Sequence, residues 1–316
     1  MADKKCTEEA YLYELPELKS HLVQVAKREL GEDDLVRQQS LEQMRAWVAK
    51  NHRIKNCRTD DRFLLRFLRV KKFSVFRACE MLEKYLIMRQ TYPKWCQNLD
   101  PLDKDLQELI NYCALLPVAR DSEGRIVLVG IVRNFNAQKH NSDSMIRLNM
   151  LVTESLFDDE ANQIAGFTHL FDNSDMSMAH VTCWSMDNLT GYLRSVTNSV
   201  PARLKQNHFV NVPGFASQVS KYCLTFASEK LKSRIYCHRS VDELRQNIDV
   251  KLLPKEYGGI IPLQELNERF KKHLLQKREM LLALDEMQIQ LAEPSHRSVD
   301  MADAGAVGSF RKLQID

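Results

Sequence analysis

The sequence has no long hydrophobic run. Its longest clean apolar stretch, residues 126–132, is far shorter than the roughly 20 apolar residues that a membrane-spanning helix needs. The first residues are mostly polar and no apolar segment follows them, so we expect no signal peptide. The sequence therefore predicts a cytoplasmic protein whose membrane contacts are peripheral.

The sequence also lacks a large excess of charge. Its formal net charge of +3 over 316 residues is too small to indicate nucleic-acid binding. Hydrophobic residues make up 44% and charged residues 28%, which is typical of a soluble globular protein. Any cationic function must therefore come from local clustering of lysine and arginine.

The motifs of common enzyme classes are missing as well. We find no GxSxG nucleophile elbow, no phosphate-binding P-loop, no GxGxxG fingerprint and no HExxH zinc motif. Four histidines are interpreted as isolated, structural residues: His169, His180, His208 and His238. Three aspartates have no histidine or cysteine arrangement that indicates a metal site: Asp172, Asp175 and Asp187. The sequence predicts no enzyme, no cofactor and no metal.

The eight cysteines show neither a CxxC pair nor a repeated interval. Reduced cysteine behaves as a small apolar residue, and several of these lie on apolar faces. Without a secretion signal, free thiols are favoured over a disulfide framework. The cysteines are Cys6, Cys57, Cys79, Cys96, Cys113, Cys183, Cys223 and Cys237.

The residues before position 95 predict a small helical domain with no strand. An apolar stripe indicates a first short helix: Leu18, Leu22, Val25 and Leu30. Asp33 or Asp34 is a candidate cap of a second helix. Asp60 precedes a third, and Ser74 opens a fourth that ends before Pro93.

From about residue 115 the pattern becomes that of an α/β protein. Apolar, β-branched or aromatic stretches predict strands at 126–132, 167–171, 208–212 and 234–238. Helical patterns lie between them at 143–161 and 188–199. Strands that alternate with helices predict a mixed, mainly parallel sheet. A long amphipathic helix follows from Leu263 to Met287, and residues from about 293 are expected to be mobile.

The stretch from residue 201 to 238 combines an apolar helical face with two pairs of cations. Arg203 and Lys205 alternate in an extended segment, and Lys230 and Arg234 would share one side of a helix. Between the pairs, apolar residues recur at helical spacing: Phe215, Val219, Tyr222, Cys223 and Phe226. This pattern is typical of a helix that covers an apolar cavity and is approached by an anionic surface.

Four segments together resemble the CRAL-TRIO lipid-binding family. They are FLLRFLR at 63–69, SVPAR at 199–203, HFVN at 208–211 and LPKEYGG at 253–259. The resemblance is closest to the branch of alpha-tocopherol transfer protein and cellular retinaldehyde-binding protein. It implies an N-terminal helical domain at 1–95, a lipid-binding α/β domain at 96–275 whose sheet encloses a cavity under a helical gate, and a C-terminal helix and tail at 276–316.

The resemblance also implies two groups of site residues. The gate falls on residues 215–226. The cavity for the hydrophobic ligand would be lined by Ile146, Thr153, Phe167, Phe171, Val196, Val200, Phe215, Val219 and Tyr222. A phosphatidylinositol bisphosphate site would be formed by Lys71, Arg203, Lys205, Lys230 and Arg234. Lys71 belongs to the helical domain, so a site built from all five would span both domains.

The implied function is a carrier that binds one small hydrophobic lipid, similar to tocopherol or a retinoid. It would exchange this lipid at phosphoinositide-containing endosomal or plasma membranes. Ala202 stands where fungal phosphatidylinositol carriers have a glutamate, and Trp184 and Ser195 replace aliphatic residues of the tocopherol carrier. Two alternatives stay open at this stage: a phosphoinositide-dependent adaptor that binds a protein partner, and a chaperone of retinoids or carotenoids.

Overall fold

The computed structural model describes the backbone of residues 16–291, and the side chains of residues 20–291 except residue 217. The predicted mobile tail from about residue 293 and the thiol of Cys6 lie outside this part of the chain. Within it, no helix is long and apolar enough to cross a bilayer.

The first part of the described chain is helical, as predicted. Its helices are α1 (Pro16–Val25, continued by a π-helical turn Ala26–Leu30), α2 (Asp34–Lys50), α3 (Asp61–Val70), α4 (Val75–Thr91) and α5 (Pro93–Cys96). The predicted cap at Asp33 is confirmed, and Asp60 caps α3 in the same way, because each carboxylate accepts a bond from a backbone N–H in the first helical turn. Ser74 precedes α4 without making such a bond.

The expectation of no strand before residue 95 is wrong. Strand β1 (Ile54–Lys55) pairs antiparallel with β7 (Gln288–Ile289), which follows the last helix. The backbone N–H of Gln290 also donates to the carbonyl oxygen of Arg53 at 2.8 Å. So short a strand has no period of its own to detect, because it exists only through a partner far away in the sequence.

The central sheet has five strands in the order β2-β3-β4-β5-β6. They are β2 (Leu115–Arg120), β3 (Ile126–Ile131), β4 (Phe167–Asp172), β5 (Leu204–Val210) and β6 (Ile235–His238). Strand β2 is antiparallel to β3, and all other pairs are parallel. The predicted mixed, mainly parallel sheet is confirmed, although β2 was not among the predicted strands.

The remaining helices connect and cover these strands. They are α6 (Lys104–Asn111), α7 (Ser142–Phe157), α8 (Glu160–Ala165), α9 (Met178–Thr182), α10 (Met186–Asn198), α11 (Ser217–Thr225), α12 (Glu229–Lys232), α13 (Val241–Arg245) and α14 (Leu263–Ala283). Short 3-10 turns lie at Val132–Asn134, Gly214–Ala216, Val250–Leu252, Lys255–Tyr257 and Leu284–Glu286. The single helix predicted at 143–161 is divided because Asp159 caps α8 through the N–H groups of Ala161 and Asn162.

The sheet has two unlike faces. On one face, Leu170 of the middle strand is completely buried, and Asp172 accepts a 2.6 Å hydrogen bond from the hydroxyl of Tyr257. On the other face lie five side chains that we call the aromatic face: Phe167, His169 and Phe171 of β4 with Asn207 and Phe209 of β5. Alternation along each strand and the pairing register place them on the same side.

Buried ion pairs join the helical part to the α/β part. Arg66 of α3 has no exposed side-chain surface and donates to Glu154 at 2.8 Å and to Asp158 at 2.6 Å. The hydroxyl of Tyr85 donates to the second oxygen of Glu154 at 2.8 Å. Because the hydrophobic core also runs from α2 through the sheet to α14, these two parts pack as one body.

Candidate functional site

The aromatic face is held together by ring contacts. Phe171 stacks on Phe209 with ring centroids 5.3 Å apart. His169 contacts Phe167 and Phe171 edge-on, at 6.5 and 5.8 Å. Gly130 in the neighbouring strand leaves room for the Phe171 ring, since a Cβ atom there would lie 2.7 Å from a ring carbon.

The aromatic face is deep in the molecule but not completely covered. Burial lowers the pKa of His169 from 6.5 to about 4, as expected for a ring surrounded by protein. Nevertheless His169, Phe171 and Phe209 keep part of their surface accessible, whereas Leu170 on the opposite face keeps none. We call the space that borders these three accessible side chains the chamber.

The nine residues expected to line the ligand cavity differ in how accessible their side chains are. Ile146 is completely buried, so it is a core residue with no surface open to a ligand in this structure. Thr153, Phe167 and Val200 are also buried. The partly accessible members are Phe171, Val196 and Tyr222. Phe215 and Val219 are the most exposed, at 46% and 36%.

The predicted gate is the 3-10 turn Gly214–Ala216 followed by α11. The hydroxyl groups of Tyr222 and Thr190 are 2.7 Å apart, which connects α11 to α10. Tyr222 also packs edge-on against Phe226 at 5.3 Å, at the end of the same segment. Phe215 and Val219 lie on the surface side, so this segment has one side joined to the protein and another that is apolar and exposed.

The structure brings three of the five predicted cations together at the beginning of β5. Arg203 and Lys205 both donate to one oxygen of Glu29, each at 2.8 Å. Arg234 donates to the carbonyl oxygen of Leu204 between them. Burial lowers the pKa of Arg203, and the positive charge of Arg234 lowers it further. One guanidinium nitrogen of Arg203, Nη1, is buried without a hydrogen-bond partner.

In the described chain, neither of the other two cations shares a hydrogen bond or an ion pair with this cluster. Burial lowers the pKa of Lys71, and the charges that act on it most strongly are those of Lys84, Arg77 and Glu80. Lys230 is an exposed residue of α12. The expectation that Lys230 and Arg234 share a helical face is wrong, because α12 ends at Lys232 and Arg234 immediately precedes β6.

Two features of this region were not anticipated from the sequence. Glu29 is remote in sequence from the cations that it binds, and no local pattern marks it. His208 and His238, interpreted as isolated, are hydrogen-bonded through Nδ1 and Nε2 at 2.9 Å, because they share one face of adjacent strands, His238 lying two residues beyond Tyr236, the register partner of His208. The seven described cysteines are free thiols, as predicted.

Comparison with known proteins agrees with this architecture. A profile described as CRAL/TRIO domain matches residues 111–259, and one described as Pinta-like, UBA domain matches residues 33–106. Rat clavesin-1 is 30% identical over 242 residues, which cover 76% of this chain and 68% of clavesin-1. Human clavesin-2 is 28% identical over 247 residues, which cover 78% of this chain and 76% of clavesin-2.

Among solved structures, a crystal structure of Sfh5 aligns over 83% of this chain and 98% of its own, with 16% identity and a TM-score of 0.49. The profile match and the clavesin relatives, rather than this weaker structural likeness, identify the chain. The chain belongs to the CRAL-TRIO family of lipid-binding proteins, the family that its sequence motifs predicted.

Proposed function

We propose that this chain is a carrier, not an enzyme, that holds one small hydrophobic lipid in the chamber. It would work without a cofactor in the cytoplasm and exchange its lipid at endosomal or plasma membranes that contain phosphatidylinositol bisphosphate. The observation that carries the proposal is the aromatic face, where Phe171 and Phe209 remain partly accessible on neighbouring strands of the central sheet. Apolar surface left open inside a protein is suited to an apolar ligand.

The energetics of release explain why such a carrier would need a membrane. A lipid with about 20 buried apolar carbons would cost on the order of 16 kcal/mol to transfer into water, at about 0.8 kcal/mol per methylene. Exchange through water would therefore be very slow. Direct transfer into a bilayer avoids this cost, and the exposed Phe215 and Val219 could enter the lipid while α11 moves away.

The cation cluster would provide the contact with the membrane. Arg203, Lys205 and Arg234 lie together, and the unpaired nitrogen of Arg203 is a donor that a phosphate oxygen could satisfy. Glu29 now occupies two of these cations, so a bisphosphate headgroup would have to displace it. The positive charges would each contribute about 1 kcal/mol at most near an anionic surface, which leaves membrane binding reversible.

Native mass spectrometry of the purified chain tests the carrier function. A carrier should copurify with close to one apolar molecule per chain, which solvent extraction then identifies. An empty chain after gentle purification would contradict the proposal and favour the alternative of an adaptor protein.

A second experiment tests membrane docking. Arg203→Gln combined with Lys205→Gln should weaken sedimentation with bisphosphate-containing vesicles while the chamber stays occupied. A control variant with the same charge change away from the cluster, Lys271→Gln with Lys277→Gln on α14, should bind vesicles like the wild type. If both double variants lose binding equally, total charge rather than the cluster controls docking.

A further inference from the structure

Two polar side chains lie next to each other in the middle of the aromatic face. His169 of β4 and Asn207 of β5 are direct partners in the pairing register of the sheet. Leu128 precedes them in the same row on β3, and Ile235 follows on β6. The next row along the strands contains Phe171 and Phe209. The aromatic face thus contains one imidazole and one side-chain amide next to each other among apolar side chains.

Neither polar side chain has a hydrogen-bond partner. In the described chain, the ring nitrogens of His169 and the side-chain amide of Asn207 make no hydrogen bond, and the His169 ring packs edge-to-face with the rings of Phe167 and Phe171. On the opposite face of the same strands, by contrast, His208 is bonded to His238, and Asp172 to Tyr257. Unpaired polar groups away from bulk water are costly, so such a pair requires a physical reason.

The atoms of the pair can still be reached from the chamber. On the opposite face, Oγ1 of the neighbouring residue Thr168 is fully enclosed by protein and has no hydrogen-bond partner. The ring of His169 instead retains accessible surface, and neither it nor the amide of Asn207 is among the enclosed atoms. Both groups therefore border a space that a ligand atom could enter.

We infer that His169 and Asn207 form a polar subsite that hydrogen-bonds a neutral oxygen-containing group of the lipid, such as a hydroxyl or a carbonyl. This inference rests on the proposed carrier function and specifies the chemical class of its ligand. A neutral imidazole has one donor and one acceptor, and an amide has two donors and one acceptor. Together they can satisfy a hydroxyl, which both donates and accepts, or a carbonyl oxygen, which accepts.

The same arrangement disfavours two other kinds of ligand. A pure hydrocarbon would cover both polar groups without replacing their hydrogen bonds to water. An ionised headgroup would be placed among aromatic rings, and in the described chain no lysine or arginine side chain is hydrogen-bonded to the side chain of His169 or Asn207. Selection for a ligand by hydrogen bonding is strong when the unmatched ligand leaves buried polar groups unpaired.

The test compares the lipids that copurify with the wild type and with variants expressed in the same host cells. The wild type should carry a lipid whose measured mass includes oxygen. In the double variant His169→Leu with Asn207→Leu, the bound fraction of this lipid should fall about tenfold or more, or a hydrocarbon should replace the lipid. The reason is that one net hydrogen bond corresponds to roughly a tenfold change in affinity. Thr168→Val is the matched control, because it removes a polar group from the opposite face of β4.

The possible outcomes separate this inference from the carrier function. A double variant that retains the same lipid in the same amount would overturn the polar subsite and leave the carrier function standing. A wild type without any bound lipid would overturn both. If circular dichroism shows that the double variant does not fold, two single variants are compared instead. His169→Gln keeps a polar side chain and should hold more of the lipid than His169→Leu. Equal retention by these two variants would refute the subsite.

Discussion

Glu29 and Arg203 are joined by a 2.8 Å bond between Oε2 and Nη2, although 174 residues separate them in the sequence. The same carboxylate oxygen accepts a bond from Lys205 at 2.8 Å. Because Glu29 lies in the π-helical turn after α1, the N-terminal segment covers part of the cation cluster. Burial acts to raise the pKa of Glu29, but the hydrogen bonds and charges of Lys205 and Arg203 together lower it, so Glu29 is charged at neutral pH.

Removal of this charge should strengthen docking. We expect Glu29→Gln to bind bisphosphate-containing vesicles about fivefold more tightly, since one charge near an anionic surface contributes roughly 1 kcal/mol. Sedimentation at low and physiological salt measures the effect, which should shrink as salt screens it. Glu265→Gln on α14 removes the same charge elsewhere, and an equal gain in that variant would contradict a local role of Glu29.

The buried ion pairs of Arg66 should dominate the connection between the helical part and the sheet. We expect Arg66→Met to lower the free energy of unfolding by about 3–5 kcal/mol, because Glu154 and Asp158 would lose a buried partner. Arg62→Met changes the same residue type at an exposed position of the same helix and should cost less than about 0.5 kcal/mol. Denaturant unfolding of both variants provides the comparison, and similar losses would show that burial of the ion pair is unimportant.

His169 should make the protein less stable in acid. Its pKa is about 4 in the folded protein against 6.5 when unfolded, so the unfolded chain binds the proton more readily between these values. Its effect is absent above about pH 6.5, and the unfolding free energy falls as the pH decreases towards 4. Between pH 7 and pH 5 this group alone should cost about 2 kcal/mol.

The variant His169→Leu isolates this contribution. Its unfolding free energy should fall by about 2 kcal/mol less than that of the wild type between pH 7 and pH 5. His208, whose pKa is also lowered to about 4, is present in both proteins and therefore cancels in the comparison. Identical losses in the two proteins would mean that His169 is hydrated in the folded state.

Gly130 should be necessary for the shape of the aromatic face. An alanine Cβ would lie 2.7 Å from the ring of Phe171, so Gly130→Ala should force the ring to move and cost about 1–3 kcal/mol. Retention of the copurified lipid should fall with it. Gly214→Ala in the gate turn has no neighbouring atom within 4 Å and should leave stability unchanged, as thermal unfolding can verify.

Local signals made much of the fold predictable. The caps at Asp33 and Asp60 act on backbone groups only a few residues away, so the sequence itself contains both partners. The strand β2 was missed because it is an edge strand that contains Pro117 and shows no alternation, its six residues all being buried. Its position depends on pairing with β3 rather than on its own pattern.

The candidate site was less predictable because its contacts are between distant segments. Whether His169 meets Asn207 depends on the register of two parallel strands, which shifts by one residue at Phe167. The bonds of Glu29 depend on how the N-terminal segment packs on α8 through residues such as Leu22 and Ile164. Residue types could suggest cations and a gate, but only packing determines which of them face each other.

The pairing of β1 with β7 has a consequence for any segment joined directly after residue 291. Ile289 lies beside Ile54, and its N–H donates to Gln90 of α4 at 2.7 Å. A fusion partner or a binding segment joined directly after residue 291 would therefore be tethered to the helical bundle and not to the central sheet. Force applied at that point would first strain two short strands.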